Sequence, residues 1–146
     1  MAGLTKTFFI KARDFVHAGE ASIRVQQILK SMHLDAALIR RIAVCSYEGE
    51  MNVVMHGADG QLVMTLETGR LEIDIRDSGP GIPDIDLAMR PGWSTASDDQ
   101  REMGFGAGMG LPNMKKNADR ITIECPPGNG TRVRMTFDLG PGRGAA

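Results

Sequence analysis

The chain has 146 residues, one domain of ordinary size with room for a genuine core. Hydrophobic residues make up 42% and charged residues 24%, a balance that excludes long disorder. A formal net charge of -1 and an isoelectric point near 6.3 give no electrostatic reason to bind nucleic acid or an anionic membrane.

Taken in chain order, the N-terminal apolar patch is broken by Lys11, Arg13 and Asp14, so it reads as neither a signal peptide nor a membrane span. Thr5 to Ile10 reads as a strand. Asp14 to Met32 is expected to be helical, with Ala21, Val25, Ile28, Leu29 and Met32 on one face. Asp35 can cap a second helix through Leu38, Ile42, Cys45, Gly49 and Val53, stopped by Gly57. Gln61 to Glu67 and Leu71 to Asp77 alternate as strands around a Thr68-Gly69 turn. Leu111 to Asp119 reads as a third helix, with Pro112 tolerable in its first turn. Ile121 to Cys125 and Thr131 to Leu139 close the pattern as a hairpin around Pro-Pro-Gly-Asn-Gly.

That order predicts an α+β two-layer sandwich, a mixed and mostly antiparallel sheet with helices on one face. Residues 1–140 form its single domain and 141–146 a disordered tail. Cys45 and Cys125 lie far apart in apolar runs without metal-ligand spacing, which reads as reduced thiols of a cytoplasmic protein.

The anomaly is the segment from Ser78 to Met109, rich in Gly, Pro, Ser and Asp and without periodicity. Connections longer than about 12–15 residues are uncommon unless functional or disordered. Here the segment ends in Gly104, Gly106, Gly108 and Gly110 and runs straight into a helix, which favours a lid over a flexible linker. The run has neither the Rossmann spacing nor the Gly-Lys-Ser/Thr ending of a Walker A loop. What remains is backbone whose amides can converge on anionic oxygens at a helix N-terminus.

Strand parity supplies a second clue. Asp77 shares the parity of Leu71, Ile73 and Ile75, and Thr131 that of Val133, Met135 and Phe137, so a carboxylate and a hydroxyl point towards the helix layer. A carboxylate there is costly unless a donor meets it; the plainer alternative is that Asp77 only caps the turn Ser78 to Gly81. On the second helix Glu48 and Asn52 lie one turn apart with His56 continuing the line. The pair is either a solvated face or, given apolar flanks, the lining of a cavity. In a cavity an Asn oxygen suits Mg²⁺ and a Glu can deprotonate a hydroxyl or a water. Glu50 and Tyr47 read as ordinary surface and packing residues.

Together, Glu48-x-x-x-Asn52 followed by His56-Gly57, Asp77-Ser-Gly79-Pro-Gly81-Ile82, Gly104-Phe-Gly106-Ala-Gly108-Met-Gly110-Leu111 and Gly130-Thr131 resemble the ATP-binding fold shared by Hsp90, DNA gyrase, histidine kinases and MutL. Gly81-Ile82-Pro83-Asp84-Ile85 and Gly92-Trp93-Ser94-Thr95 are most similar to the bacterial anti-sigma-factor serine/threonine kinases and the related switch kinases. The resemblance implies ATP and Mg²⁺ as cofactors, with Glu48 as catalytic base, Asn52 as metal ligand and Asp77, assisted by Thr131, reading adenine. It implies a nucleotide-binding set of Asn52, His56, Asp77, Gly79, Gly81, Ile82 and Thr131, with Gly104, Phe105, Gly106, Ala107, Gly108, Met109, Gly110 and Leu111 around the phosphates.

The implied substrate is a serine or threonine of a STAS-domain, anti-anti-sigma-type protein, with a sigma factor and a second copy of the chain as further partners. The implied activity is that of a protein-serine/threonine kinase. The alternative is a nucleotide-gated binding switch with little or no transfer. An ATPase fragment of a larger machine is disfavoured, because the chain reads as complete at both ends. One departure stands out: several such kinases carry an arginine before the last glycines, where this chain has Phe105-Gly106-Ala107-Gly108, and Arg101 is the nearest candidate.

Overall fold

The structure is a computed structural model, and it describes residues 3–56, 58–81, 85–90, 110–126 and 130–140. The elements are β1 (Leu4–Ile10), α1 (Glu20–Ser31), α2 (Ala36–His56), β2 (Gly60–Glu67), β3 (Arg70–Asp77), α3 (Ile85–Ala88), α4 (Gly110–Asn117), β4 (Arg120–Glu124) and β5 (Thr131–Asp138). The strands form one sheet in the order β1-β2-β3-β5-β4.

Alternation along the strands decides which face is covered. Leu62, Met64 and Leu66, Leu71 and Ile73, and Met135 and Phe137 are all fully buried on the face that carries the helices. Val25 and Leu29 of α1 and Ile42 and Cys45 of α2 meet them from above. Helix α2 lies between α1 and α4, which is why its buried residues point to more than one side. The other face of the sheet carries Glu72, Asp74 and Arg76 on β3 and Arg132 and Arg134 on β5. There Asp74 is buried under its own ion pairs, with Arg76 Nη2 at 3.0 Å and Arg132 Nη2 at 2.8 Å.

The two-layer α+β arrangement is the expected one, with one refinement. Every strand pairing described is antiparallel. Strands β3 and β4 run parallel to each other, yet β5 inserts between them, so no parallel ladder forms.

Two differences at α1 have local causes. The helix begins at Glu20, not Asp14, because Gly19 stands at φ 98° and cannot continue a right-handed helix. The Asp14 carboxylate instead holds a turn, accepting from His17 N at 3.3 Å and pairing with His17 Nδ1 at 2.9 Å.

The second difference corrects the reading of Glu50 as a surface residue. Its side chain is 3% exposed. It accepts backbone N–H bonds from Gly19 (2.9 Å), Ala21 (3.2 Å) and Ser22 (3.0 Å). Those are orphan donors of a helix start, and the carboxylate also meets the positive end of the helix dipole. Burying the charge is costly, but three charge-assisted bonds of about 1.5–3 kcal/mol each offset it. Tyr47, the other residue of that pair, is 40% exposed, as a packing residue at the surface would be.

Candidate functional site

Helix α2, the end of β3 and the start of β5 converge on one cleft. It is lined by Gly49, Asn52 and Val53 from α2, Ile75 and Asp77 from β3, Pro80 and Gly81 after it, and Thr131 and Val133 from β5. Val53, Ile75 and Val133 make an apolar floor, and Asp77, Asn52 and Thr131 are the polar groups set into it. A side chain at Gly49 would collide with Ile75, so glycine there lets α2 sit close to the sheet.

Asp77 and Thr131 are direct cross-strand partners, the last residue of β3 against the first of β5. Their shared parity was legible in the sequence, and the ladder register turns it into adjacency. Gly130, at φ 72°, precedes Thr131, and a side chain there would strike the Asp77 carbonyl. Both its conformation and the close approach require glycine. Asp77 Oδ1 accepts the N–H of Gly79 at 2.8 Å, so it does cap the turn. A carboxylate offers about four lone-pair sites, so capping and facing the cleft are compatible.

Glu48 lies one helical turn, about 5.4 Å, from Asn52 along α2. Gly110, the first residue of α4, backs directly onto the pair. A Cβ at Gly110 would stand 3.2 Å from Glu48 Oε2 and 3.4 Å from Asn52 Oδ1, tighter than a carboxylate in place tolerates. The burial of Glu48 pushes its carboxyl above the usual carboxylate range, and a side-chain hydrogen bond from Asn113 of α4 pulls the other way. Leu111 is buried in the core. His56 ends α2. Gly57, Ile82, Gly104, Phe105, Gly106, Ala107, Gly108, Met109, Arg101 and residues 141–146 lie outside the described residues.

The structure thus brings together Glu48, Asn52, Asp77, Gly81, Gly110 and Thr131, with Gly79 bonded to Asp77 beside them. Sequence reading marked Val53 and Val133 only as core positions, and the cleft they floor became visible once α2 was packed over β3 and β5. Among the described residues no group of three or more His, Cys, Asp or Glu side chains could hold a metal ion by itself.

Comparison with known proteins sharpens this geometry. The family model for histidine kinase-, DNA gyrase B-, and HSP90-like ATPases matches residues 20–141. The serine/threonine-protein kinase RsbT of Bacillus subtilis is 32% identical over 125 residues, 83% of this chain and 86% of that protein. This chain belongs to that ATPase family and, within it, to the anti-sigma-factor kinases. The anti-sigma F factor of Thermoanaerobacter sp. strain X514 is a further relative, 34% identical over 98 residues, or 64% of this chain. That match spans 65% of the relative's own length. Among solved structures, the mycobacterial sensor histidine kinase MprB superposes with a TM-score of 0.54 at 14% identity, covering 94% of this chain and 99% of that one. At that identity the likeness speaks for the fold alone, the ATP-binding domain shared across the family. No described helix of this family member is long and apolar enough to cross a membrane.

Proposed function

We propose that the chain is an ATP-dependent protein kinase of a partner-switching module, acting on a serine or threonine of a STAS-domain, anti-anti-sigma-type protein. The observation that carries the proposal is the placement of Glu48 beside Asn52 under the glycine that opens α4. Asn52 in turn lines a cleft whose apolar floor leads to the Asp77 carboxylate.

The residues fit the implied cofactors. A flat purine suits Val53, Ile75 and Val133, with its exocyclic amino group donating to Asp77 and Thr131 assisting. The absence of side-chain bulk at Gly110 leaves room beside Glu48 and Asn52, and the amides of residues 104–111 would be the groups that meet phosphates. Bound ATP would supply the transferable phosphoryl group, with Mg²⁺ among its oxygens neutralising charge. Asn52 Oδ1 would be the protein ligand for that cation, since Mg²⁺ is commonly held by few protein oxygens with phosphates and waters completing its shell.

Glu48 holds the hydroxyl of the incoming serine and takes its proton on a carboxylate oxygen. Burial raises its proton affinity, which brings a carboxylate nearer to the range of an effective base. A cytoplasmic location agrees with Cys45 as a free thiol in the core, and a sigma factor and a second copy of the chain are the other partners proposed.

A second reading, a nucleotide-gated binding switch, is favoured by Phe105-Gly106-Ala107-Gly108 where related kinases place an arginine. Such an arginine can be worth about 10³-fold or more in rate. Labelled ATP, Mg²⁺ and a STAS-domain, anti-anti-sigma-type protein separate the two. Label should appear on the partner, and Glu48→Gln should abolish transfer with nucleotide affinity intact. Retained ATP binding with no label on the partner would leave only the switch.

A further inference from the structure

We propose that the Asp74–Arg132 ion pair, on the sheet face opposite the helices, is a positioning device for the cleft: it holds β5 against β3 at the rung where Asp77 and Thr131 meet the base. The inference rests on reading those two as the adenine-reading pair, and adds two residues outside all four sequence motifs.

The juxtaposition comes from strand alternation. The sheet's share of the cleft is Ile75 and Asp77 on β3 and Thr131 and Val133 on β5. These are two cross-strand pairs, Ile75 opposite Val133 and Asp77 opposite Thr131. Arg76 and Arg132 form the pair between them, and side chains at intervening positions leave the sheet on its other face. The ion pair therefore stands directly behind the cleft floor. Arg132 is the neighbour of Thr131 in sequence, and Asp74 the neighbour of Ile75.

The contact is built as a tie between strands. Asp74 is buried. Arg132 reaches diagonally across the ladder and engages both of its oxygens, Nε donating to Oδ1 at 3.2 Å and Nη2 to Oδ2 at 2.8 Å. A bidentate pair of this kind fixes geometry as well as adding energy. Arg76 Nη2 also donates to Oδ2, at 3.0 Å, but from the same strand, so it ties nothing across. Without the carboxylate, Arg76 and Arg132 would stand as like charges on directly opposed positions, which works against the pairing of the strands. The rung beyond them is the one that needs holding. Thr131 is the first residue of β5, and in the described register β4 joins β5 only from Arg132 onward, opposite Glu124. The end of a ladder is where local opening costs least.

The test compares Asp74→Asn, Arg132→Gln, Arg76→Gln and Asp77→Asn with the parent chain. Thermal melting checks that each is folded at the assay temperature. Arg132→Gln leaves Asp74 paired with Arg76, so it carries the test if Asp74→Asn does not fold. Titration calorimetry measures affinity for ATP and for inosine triphosphate, which has an oxygen where ATP has the amino group that Asp77 reads. Amide hydrogen exchange, followed by NMR without nucleotide, reports opening of the rung. Asp74→Asn and Arg132→Gln should narrow the parent's preference for ATP roughly threefold to tenfold, the span of one neutral hydrogen bond. Exchange should quicken over residues 75–77 and 131–133 relative to residues 62–66. Arg76→Gln keeps the tie across the strands and should keep the preference. An equal loss of affinity for both nucleotides, or faster exchange throughout the sheet with the preference intact, is what a merely stabilising ion pair would give, and overturns the inference. If Asp77→Asn leaves the preference at the parent's value, the adenine reading fails and the inference fails with it. If Asp77→Asn narrows the preference and Arg132→Gln does not, the adenine reading stands and the inference alone is overturned.

Discussion

At the scale of single residues, the site is built from polar groups given two tasks. Asp77 caps its own turn through Oδ1 and still faces the cleft beside Thr131. Asp77→Asn separates the tasks, because the amide oxygen can still accept from Gly79 while the nitrogen cannot accept from a base amino group. ATP affinity should weaken by more than about 1 kcal/mol, on the order of one charged hydrogen bond, with the melting temperature little changed. Titration calorimetry decides; near-normal ATP affinity would return Asp77 to turn capping alone. Both possibilities were readable from strand parity, but parity shows only which way a side chain points, not which partner it meets.

At the scale of elements, α2 organises the domain. One side presents Asn52 to the cleft and Glu48 to Gly110 of α4, and another sends Glu50 to the start of α1. Glu50→Gln keeps the shape but turns one acceptor into a donor among three backbone N–H groups. Loss of roughly 2–4 kcal/mol of folding stability is expected, measured by urea unfolding. A change below about 0.5 kcal/mol would mean that water replaces the carboxylate there, as at an ordinary surface site. The existence of α2 was legible from its apolar spacing and from Asp35, whose Oδ2 accepts from Leu38 N at 3.2 Å. The role of Glu50 was not, because periodicity sorts residues against one buried face, and α2 has neighbours on several sides.

At the scale of the whole molecule, the sheet ties distant parts of the chain together. Its open face is stitched across β3 and β5 by Asp74, which meets Arg76 two residues away and Arg132 from the far end of the chain. Burial raises the Asp74 carboxyl, but the hydrogen bonds from Arg132 and Arg76 outweigh it and hold the group below the usual carboxylate range. The fold therefore favours the ionised form. Its contribution is fully present above the unfolded value of 3.8 and is lost as pH falls through the lower folded value. Asp74→Asn should be less stable at neutral pH, with a flatter loss of stability on acidification below about pH 4. Denaturant midpoints at neutral and acid pH test this, and parallel curves for the two proteins would refute it.

By itself the sequence determined the order of every element except the short α3 (Ile85–Ala88), which it left in an aperiodic segment, together with the inward parity of Asp77 and Thr131, the Glu48–Asn52 turn spacing and the glycine run before α4. These are local matters, set by periodicities of 2 and 3.6 residues and by glycine's missing side chain. Tertiary structure alone decided that β5 lies between β3 and β4, which makes Asp77 and Thr131 neighbours. It alone set α4 against α2, so that Gly110 stands against Glu48 and Asn52. Contacts between residues sixty positions apart depend on how faces pack, and no local pattern in the chain records that.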